Sequence, residues 1–198
     1  KAIQFLLRQK PNVIMVGEIR DEETAEVAIE ASLTGHLVLS TIHANSAAGA
    51  ISRFSGLGVN RQTLANAINA TIGQRLVRTI CPHCKAEEKI DDKTLSEVEI
   101  IISQMNPDIR KILPKERKFY KGMGCDKCGG IGYKGRLGIY ETIRMDADME
   151  QLIQKEAVTD EMIENLAIEK GAILMVQDGI LKALQGLTSI GEVFRVIR

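Results

Sequence analysis

The sequence has no tryptophan, only 4% aromatic residues and no excess charge of either sign, 26 basic side chains balancing 26 acidic ones across 198 residues. Balanced charge removes the general electrostatic reason to bind nucleic acid or an anionic membrane, and so few aromatics leave no platform for stacking bases. No apolar run approaches the roughly 18 residues that a membrane-crossing helix needs. Lys1 opens no signal-peptide pattern, so the chain reads as soluble and intracellular. What remains is ordinary for a globular chain. A composition 44% hydrophobic and 26% charged excludes collagen-like, low-complexity and wholly disordered classes. The length suits one or two small domains.

The first residue is Lys rather than Met, and Ile3, Leu6 and Leu7 already fall on one helical face, which suggests that the chain begins inside an element of a longer protein. Pro11-Asn12 ends that helix. Val13-Ile14-Met15-Val16 is a short all-apolar run, the pattern of a strand buried on both faces of a parallel sheet. Asp21 is placed to cap a helix with Ala25, Ala28, Ile29 and Ser32 on its inner face and Gly35 at its end. Leu37 to Ile42 reads as a second buried strand. A strand, helix and strand on short turns form a βαβ unit, whose reactive edge lies at the carboxyl ends of the strands, where Glu18 and His43 stand. Helices are then expected near 46–57 and 61–78, the second from the spacing of Leu64, Ala67, Ile68, Thr71 and Ile72. Residues 81–141 hold every cysteine and a glycine-rich run from Gly122 to Gly138, which predicts a loop-rich module not organised by a core. Residues 142–198 read as helical, with Ser189-Ile190-Gly191-Glu192 as a capping-box pattern and the apolar positions Ile153, Ile163, Ile180 and Leu184 as core. Three regions follow: 1–80 as the α/β part, 81–141 as the cysteine module and 142–198 as a helical end.

The four cysteines form two Cys-x-x-Cys knuckles, Cys81-Pro82-His83-Cys84 and Cys125-Asp126-Lys127-Cys128. Two such knuckles complete a tetrahedral zinc site with Zn–S of about 2.3 Å. Disulfides do not suit an intracellular chain, and a redox Cys-x-x-Cys needs only one pair. Four thiolates leave no open coordination position, so zinc here folds the module instead of doing chemistry, and His83 is a bystander. The second knuckle with its glycines also resembles one copy of the repeat in the zinc domain of Hsp40-type chaperones, which use several.

An apolar strand ending in an acid is how nucleoside triphosphatases set a carboxylate beside the attacking water. Many strands end in a solvated Glu, and a histidine in the position of His43 can equally be tucked under the next helix. The wider context separates these readings. Pro11 to Ala25, containing Val16-Gly17-Glu18-Ile19-Arg20-Asp21, and Thr34 to Ala47, containing Ser40-Thr41-Ile42-His43, closely resemble the Walker B and His-box segments of the type II secretion and type IV pilus ATPases. Gln74-Arg75-Leu76 and Gly135-Arg136-Leu137-Gly138-Ile139-Tyr140-Glu141 match further motifs of that family in the same order. The cysteine module points to its secretion and pilus-extension branch.

This resemblance implies a partial RecA-like P-loop core within a cytoplasmic homohexamer that hydrolyses ATP with Mg²⁺ and works with inner-membrane components of the secretion or pilus machinery. It implies for Glu18 the role of general base or water-polarising residue, and for His43 a place near the γ-phosphate. Arg75, Arg136 and Glu141 match motif positions without an implied contact. Arg20 and Asp21 read as a pair or as helix caps. The cradle Gly-x-x-x-x-Gly-Lys-Ser/Thr is absent, since none of the 17 glycines precedes a lysine, so this stretch alone is not expected to turn over ATP. The rival reading is a zinc-ribbon nucleic-acid module or a chaperone-type interaction module. Its basic run, Lys115, Arg117, Lys118 and Lys121, is equally a solvated loop.

Overall fold

The computed structural model describes residues 11–197; the helix expected over residues 1–10 lies outside them. The chain is α/β and forms two compact units, one made of the described residues through Ile72 with Thr142–Ala167, the other of Gly73–Glu141 with the residues from Ile168 onward.

In the first unit β1 (Val13–Ile19) pairs in parallel with β2 (Leu37–Ile42), joined by α1 (Glu22–Leu33). Local chemistry sets this βαβ unit. Asp21 takes extended backbone and its carboxylate accepts from the Thr24 amide at 2.9 Å, while Gly35 leaves the helix at φ +92°, a conformation that a Cβ disfavours. The amide bond also holds the Asp21 carboxyl below its usual range. Ala25, Ala28, Ile29 and Ala31 form the buried stripe of α1, and Ser32 Oγ donates to the Ala67 carbonyl at 2.7 Å, fixing α1 against α3 (Arg61–Ala67). α2 (Ala47–Gly56) is capped by Ser46 and joined to Asp160 by the Ser52 hydroxyl.

The structure differs from the sequence reading in three places. The strands are not buried on both faces: Ile14 and Val16 are inside, but Met15 is 78% exposed and Val13, Leu37 and Leu39 are exposed beside it. Their sheet has only two strands among the described residues, so alternation decides burial. The helix expected to 78 ends at Ala67, and β3 (Ala70–Ile80) follows, paired with β6 (Tyr133–Arg144). Ile68, Thr71 and Ile72 are β-branched, and their packing suits a pleat better than a helical turn.

Third, the segment expected to lack a core contributes one. In the second unit, Val98 and Ile102 of α4 (Asp92–Ser103), with Met105 and Phe119, bury themselves against Ile180 and Ala183 of α8 (Met175–Leu184) and Ile190, Val193 and Phe194 of α9 (Ile190–Ile197). Each such fully buried side chain contributes about 1.5–3 kcal/mol. The remaining helix of this unit is the short α5 (Pro107–Lys111), while α6 (Ala147–Ile153) and α7 (Asp160–Glu169), the latter through Ala167, belong to the first. A short antiparallel pair, β4 (Lys85–Glu88) with β5 (Phe119–Gly122), closes the rim.

Glu192 is the exception inside this core. Its side chain is 0% exposed and its oxygens accept from the Arg78 amide (3.0 Å), Arg78 Nη2 (2.7 Å), Arg195 Nε (2.8 Å) and Arg195 Nη2 (2.7 Å). Burial opposes its ionisation, but the hydrogen bonds from Arg195 and Arg78 prevail and lower the carboxyl from 4.5 to about 2. A carboxyl depressed on folding contributes stability at any pH above its unfolded value, and loses it as pH falls toward the folded one. The second unit is therefore expected to lose about 3 kcal/mol between pH 5 and pH 2 through this group alone. Chemical denaturation at several pH values should show the wild type and Glu192→Gln converging in stability as the pH falls through that window; parallel curves would remove the assignment.

Candidate functional site

β1 and β2 pair in simple register from Val13↔Leu37 to Val16↔Ser40 and again at Ile19↔Ile42. Three steps along β1 are matched by two along β2, so β1 carries one extra residue, a bulge that re-aims its side chains. Buried positions accordingly switch parity, from Ile14 and Val16 to Ile19, and Glu18 falls at the turnover. It is the penultimate residue of the strand, not one beyond its end. Thr41 Oγ1 donates to the Gly17 carbonyl at 2.7 Å and pins the irregular stretch.

Glu18 is 20% exposed. His43 Nε2 stands 2.6 Å from its Oε1, and Arg20 Nε donates to its Oε2 at 2.6 Å. His43, 87% exposed, is not tucked under the following helix. Parallel strands bring their carboxyl ends to one edge, so two residues 25 positions apart meet there as an acid–imidazole pair open to solvent. Such a pair can take a proton from a bound hydroxyl or water, or orient it. Of the two readings of Arg20 and Asp21, a mutual pair or helix caps, Asp21 is the cap of α1, and Arg20 turns to Glu18. The signal was there: residues two apart on an extended strand share a face.

The second cluster is made of thiols. Cys81 Sγ lies 3.9 Å from Cys125 Sγ, Cys84 Sγ 3.9 Å from Cys128 Sγ, and Cys125 Sγ 3.8 Å from Cys128 Sγ; all four sulfurs lie within 4.8 Å of one another. The edge of a tetrahedron with about 2.3 Å from centre to sulfur is about 3.8 Å, so these four side chains could hold one metal ion. A disulfide needs about 2.05 Å, and all four are free thiols. The two knuckles differ in electrostatics. Burial opposes ionisation of Cys128, but the amides of Cys125 (3.3 Å) and Gly132 (3.2 Å) donate to its sulfur and bring the thiol down to about 7. Burial pushes the Cys84 thiol up to about 11. The glycines fit close backbone crossings. A Cβ on Gly122 or Gly132 would run into the other's backbone, and Gly132 takes φ +77°. His83 is exposed between two thiols.

Arg75 and Arg136 are exposed on β3 and β6. Glu141 is buried and accepts from the Met175 amide at 3.0 Å, which places it at the start of α8. Sequence reasoning missed the pairing of buried Glu192 with the exposed Arg78, because the only local signal at Glu192 was the capping box. Half of that box exists: the Glu192 amide donates to Ser189 Oγ at 3.2 Å, while the carboxylate goes to the arginines.

Residues 1–195 match the family described as Type II/IV secretion system protein. The chain is 43% identical over 193 residues to the type IV pilus assembly ATPase PilB of Thermus thermophilus, covering 98% of this chain and 21% of that one. It is 42% identical over 198 residues to the type II secretion system protein E of Pseudomonas aeruginosa, covering 100% of this chain and 37% of that one. Among solved structures it is similar to the ATPase DotB of Legionella pneumophila (TM-score 0.63, 22% identity, 98% of this chain and 40% of that one). The pilus retraction motor PilT with bound ADP is comparable (TM-score 0.62, 22% identity, 98% and 42%). These structures share the fold, the α/β core that the motifs implied. The chain spans between about a fifth and two fifths of the length of these proteins. No described helix is long and apolar enough to cross a membrane. With a match running over almost its whole length, the chain belongs to the type II/IV secretion system protein family.

Proposed function

We propose that this chain is the carboxyl-terminal part of a homohexameric ATPase that drives type II secretion or type IV pilus assembly from the cytoplasmic side of the inner membrane, in contact with membrane components of that machinery. The observation that carries the reading is the Glu18–His43 pair, 2.6 Å apart at the carboxyl edge of a parallel strand pair. In it Glu18 orients or deprotonates the lytic water, and His43 hydrogen-bonds on the phosphate side of the same site. Arg20 donates to the far oxygen of Glu18 from an exposed position. ATP and Mg²⁺ belong to the longer protein. Mg²⁺ supplies charge neutralisation on the phosphates when bound, and no residue of this chain is assigned to it.

The four cysteines are proposed to hold a structural zinc. Their separations, their amide-to-sulfur hydrogen bonds and the absence of an open coordination position all favour a folding role. Because the phosphate cradle is absent from the sequence, this 198-residue chain is expected to release no phosphate from ATP above background, and the longer protein to do so. A coupled phosphate-release assay on both compares them directly. Turnover by the short chain, or none by the long one, would displace the reading.

A further inference from the structure

The start of α9 is bonded to the chain on both sides of the thiol cluster. On the entry side, Thr188 Oγ1 donates to the Arg78 carbonyl at 2.8 Å, the Ile80 amide donates to the Leu187 carbonyl at 2.9 Å, and Glu192 grips both the amide and the guanidinium of Arg78. The next residue is Cys81. On the exit side, the hydroxyls of Tyr133 and Ser189 are 2.6 Å apart, and the Arg78 guanidinium covers the Tyr133 ring at 4.2 Å. The preceding residue is Gly132, whose carbonyl accepts from the Cys81 amide at 2.9 Å and whose amide donates to Cys128 Sγ. Residues 187–192, the entry to α9 and its first turn, thus hold the strand that delivers the first knuckle and the strand that leaves the second.

A core position next to Val193 and Phe194 has no packing need for a carboxylate. Taking the Glu192 charge out of water is costly unless every oxygen is answered, and Arg78 and Arg195, both of them exposed, answer the two oxygens. What the ion pair adds is direction: it fixes the backbone at Arg78, three residues before the first thiol. Groups that fix the backbone carrying a metal ligand help set ligand orientation and hence affinity.

We propose that Glu192, with Ser189, is a positioning residue of the cysteine site, acting through Arg78 and Tyr133, so that metal binding and docking of the carboxyl-terminal helix are coupled. The coupling is reciprocal: whatever α9 docking adds to metal affinity, the metal adds to α9 docking. This rests on the reading of the four thiols as a zinc site.

The test measures zinc affinity of the full 198-residue chain by competition with a chromogenic chelator at neutral pH. Glu192→Gln is expected to weaken zinc binding by about 10- to 100-fold. Ile180→Val, which trims the same core and leaves every hydrogen bond of this network in place, is expected to stay within about threefold of the wild type, the low end of what a lost methyl group costs. Tyr133→Phe keeps the ring and removes one hydroxyl, and is expected to cost about 2- to 12-fold, so the idea stays testable if Glu192→Gln does not fold. In the reciprocal experiment, stripping zinc should speed amide hydrogen exchange in residues 190–197 more than in residues 92–103. Unchanged affinity in Glu192→Gln or Tyr133→Phe, an equal loss in Ile180→Val, or a uniform rise in exchange would overturn the coupling while leaving the zinc site standing. A wild type that takes up no zinc would instead overturn the zinc reading, and this inference with it.

Discussion

Under the proposed function, Glu18→Gln in the longer protein is expected to lower steady-state ATP hydrolysis by about 10²- to 10⁴-fold, the range for removal of a positioned proton-transfer group, while nucleotide affinity stays within about threefold. The substitution is nearly isosteric. Its remaining carbonyl oxygen can still accept from Arg20 Nε, which lies 2.6 Å from Oε2 in the wild type, so the strand end and its bulge should keep their shape. The other position becomes an amide nitrogen facing His43 Nε2, where the wild type has an oxygen at 2.6 Å. The imidazole can accommodate this by changing tautomer, but the group that receives a proton is gone. Losing Arg20 is a lesser matter: its side chain is 74% exposed and such pairs contribute little. Arg20→Ala is therefore a useful companion, expected to keep most of the turnover. Phosphate release and titration with a fluorescent nucleotide together decide the matter. Full turnover in Glu18→Gln would take the carboxylate out of the chemistry; lost nucleotide binding would assign it to ligand contact instead.

The parts of this site that could be read from the sequence are those whose determinants are local. Asp21 caps α1 because an Asp three residues before Thr24 can reach its amide, and Gly35 ends the helix because it tolerates positive φ. Parallel pairing of β1 and β2 followed from the short crossover between them. The two knuckles were legible as ligand spacing, although what brings sulfurs 44 positions apart to 3.9 Å is long-range hydrogen bonding, from the Cys81 amide to the Gly132 carbonyl and from the Met123 amide to the Cys84 carbonyl. Elsewhere the local pattern misled. Leu64, Ala67, Ile68, Thr71 and Ile72 keep helical spacing across a helix end and a strand start, because a period of 3.6 over so few residues does not distinguish the two. The core around Phe119 was invisible because its other half, Ile180 and Val193, lies some sixty residues downstream. Glu192 shows the same limit: a capping box is written in four consecutive residues, whereas a partner 114 positions away is not.

Cys81→Ser is expected to reduce zinc affinity by about 10²- to 10³-fold, because structural zinc sites bind with about 10–16 kcal/mol shared among four ligands. Serine at this position stays protonated at neutral pH and supplies no thiolate, and Cys81 is fully buried, so no water takes its place without moving the strand. The stability consequence follows from mass action. At free zinc a hundred times the wild-type dissociation constant, binding stabilises the folded second unit by about 2.7 kcal/mol, which for a unit of about 100 residues is on the order of 10–20 °C in melting temperature. The variant would lose nearly all of it. Chelating the wild type should produce the same melting temperature as the variant, and adding chelator to the variant should change nothing further. His83→Ala, an exposed residue between two ligands, should keep one zinc per chain and the wild-type melting temperature. Elemental analysis supplies the stoichiometry and calorimetry the shift. If Cys81→Ser keeps both, the thiols are passengers of a fold held by the Phe119 core; if it loses both while His83→Ala loses neither, the ion, and not the core alone, keeps the two knuckles together.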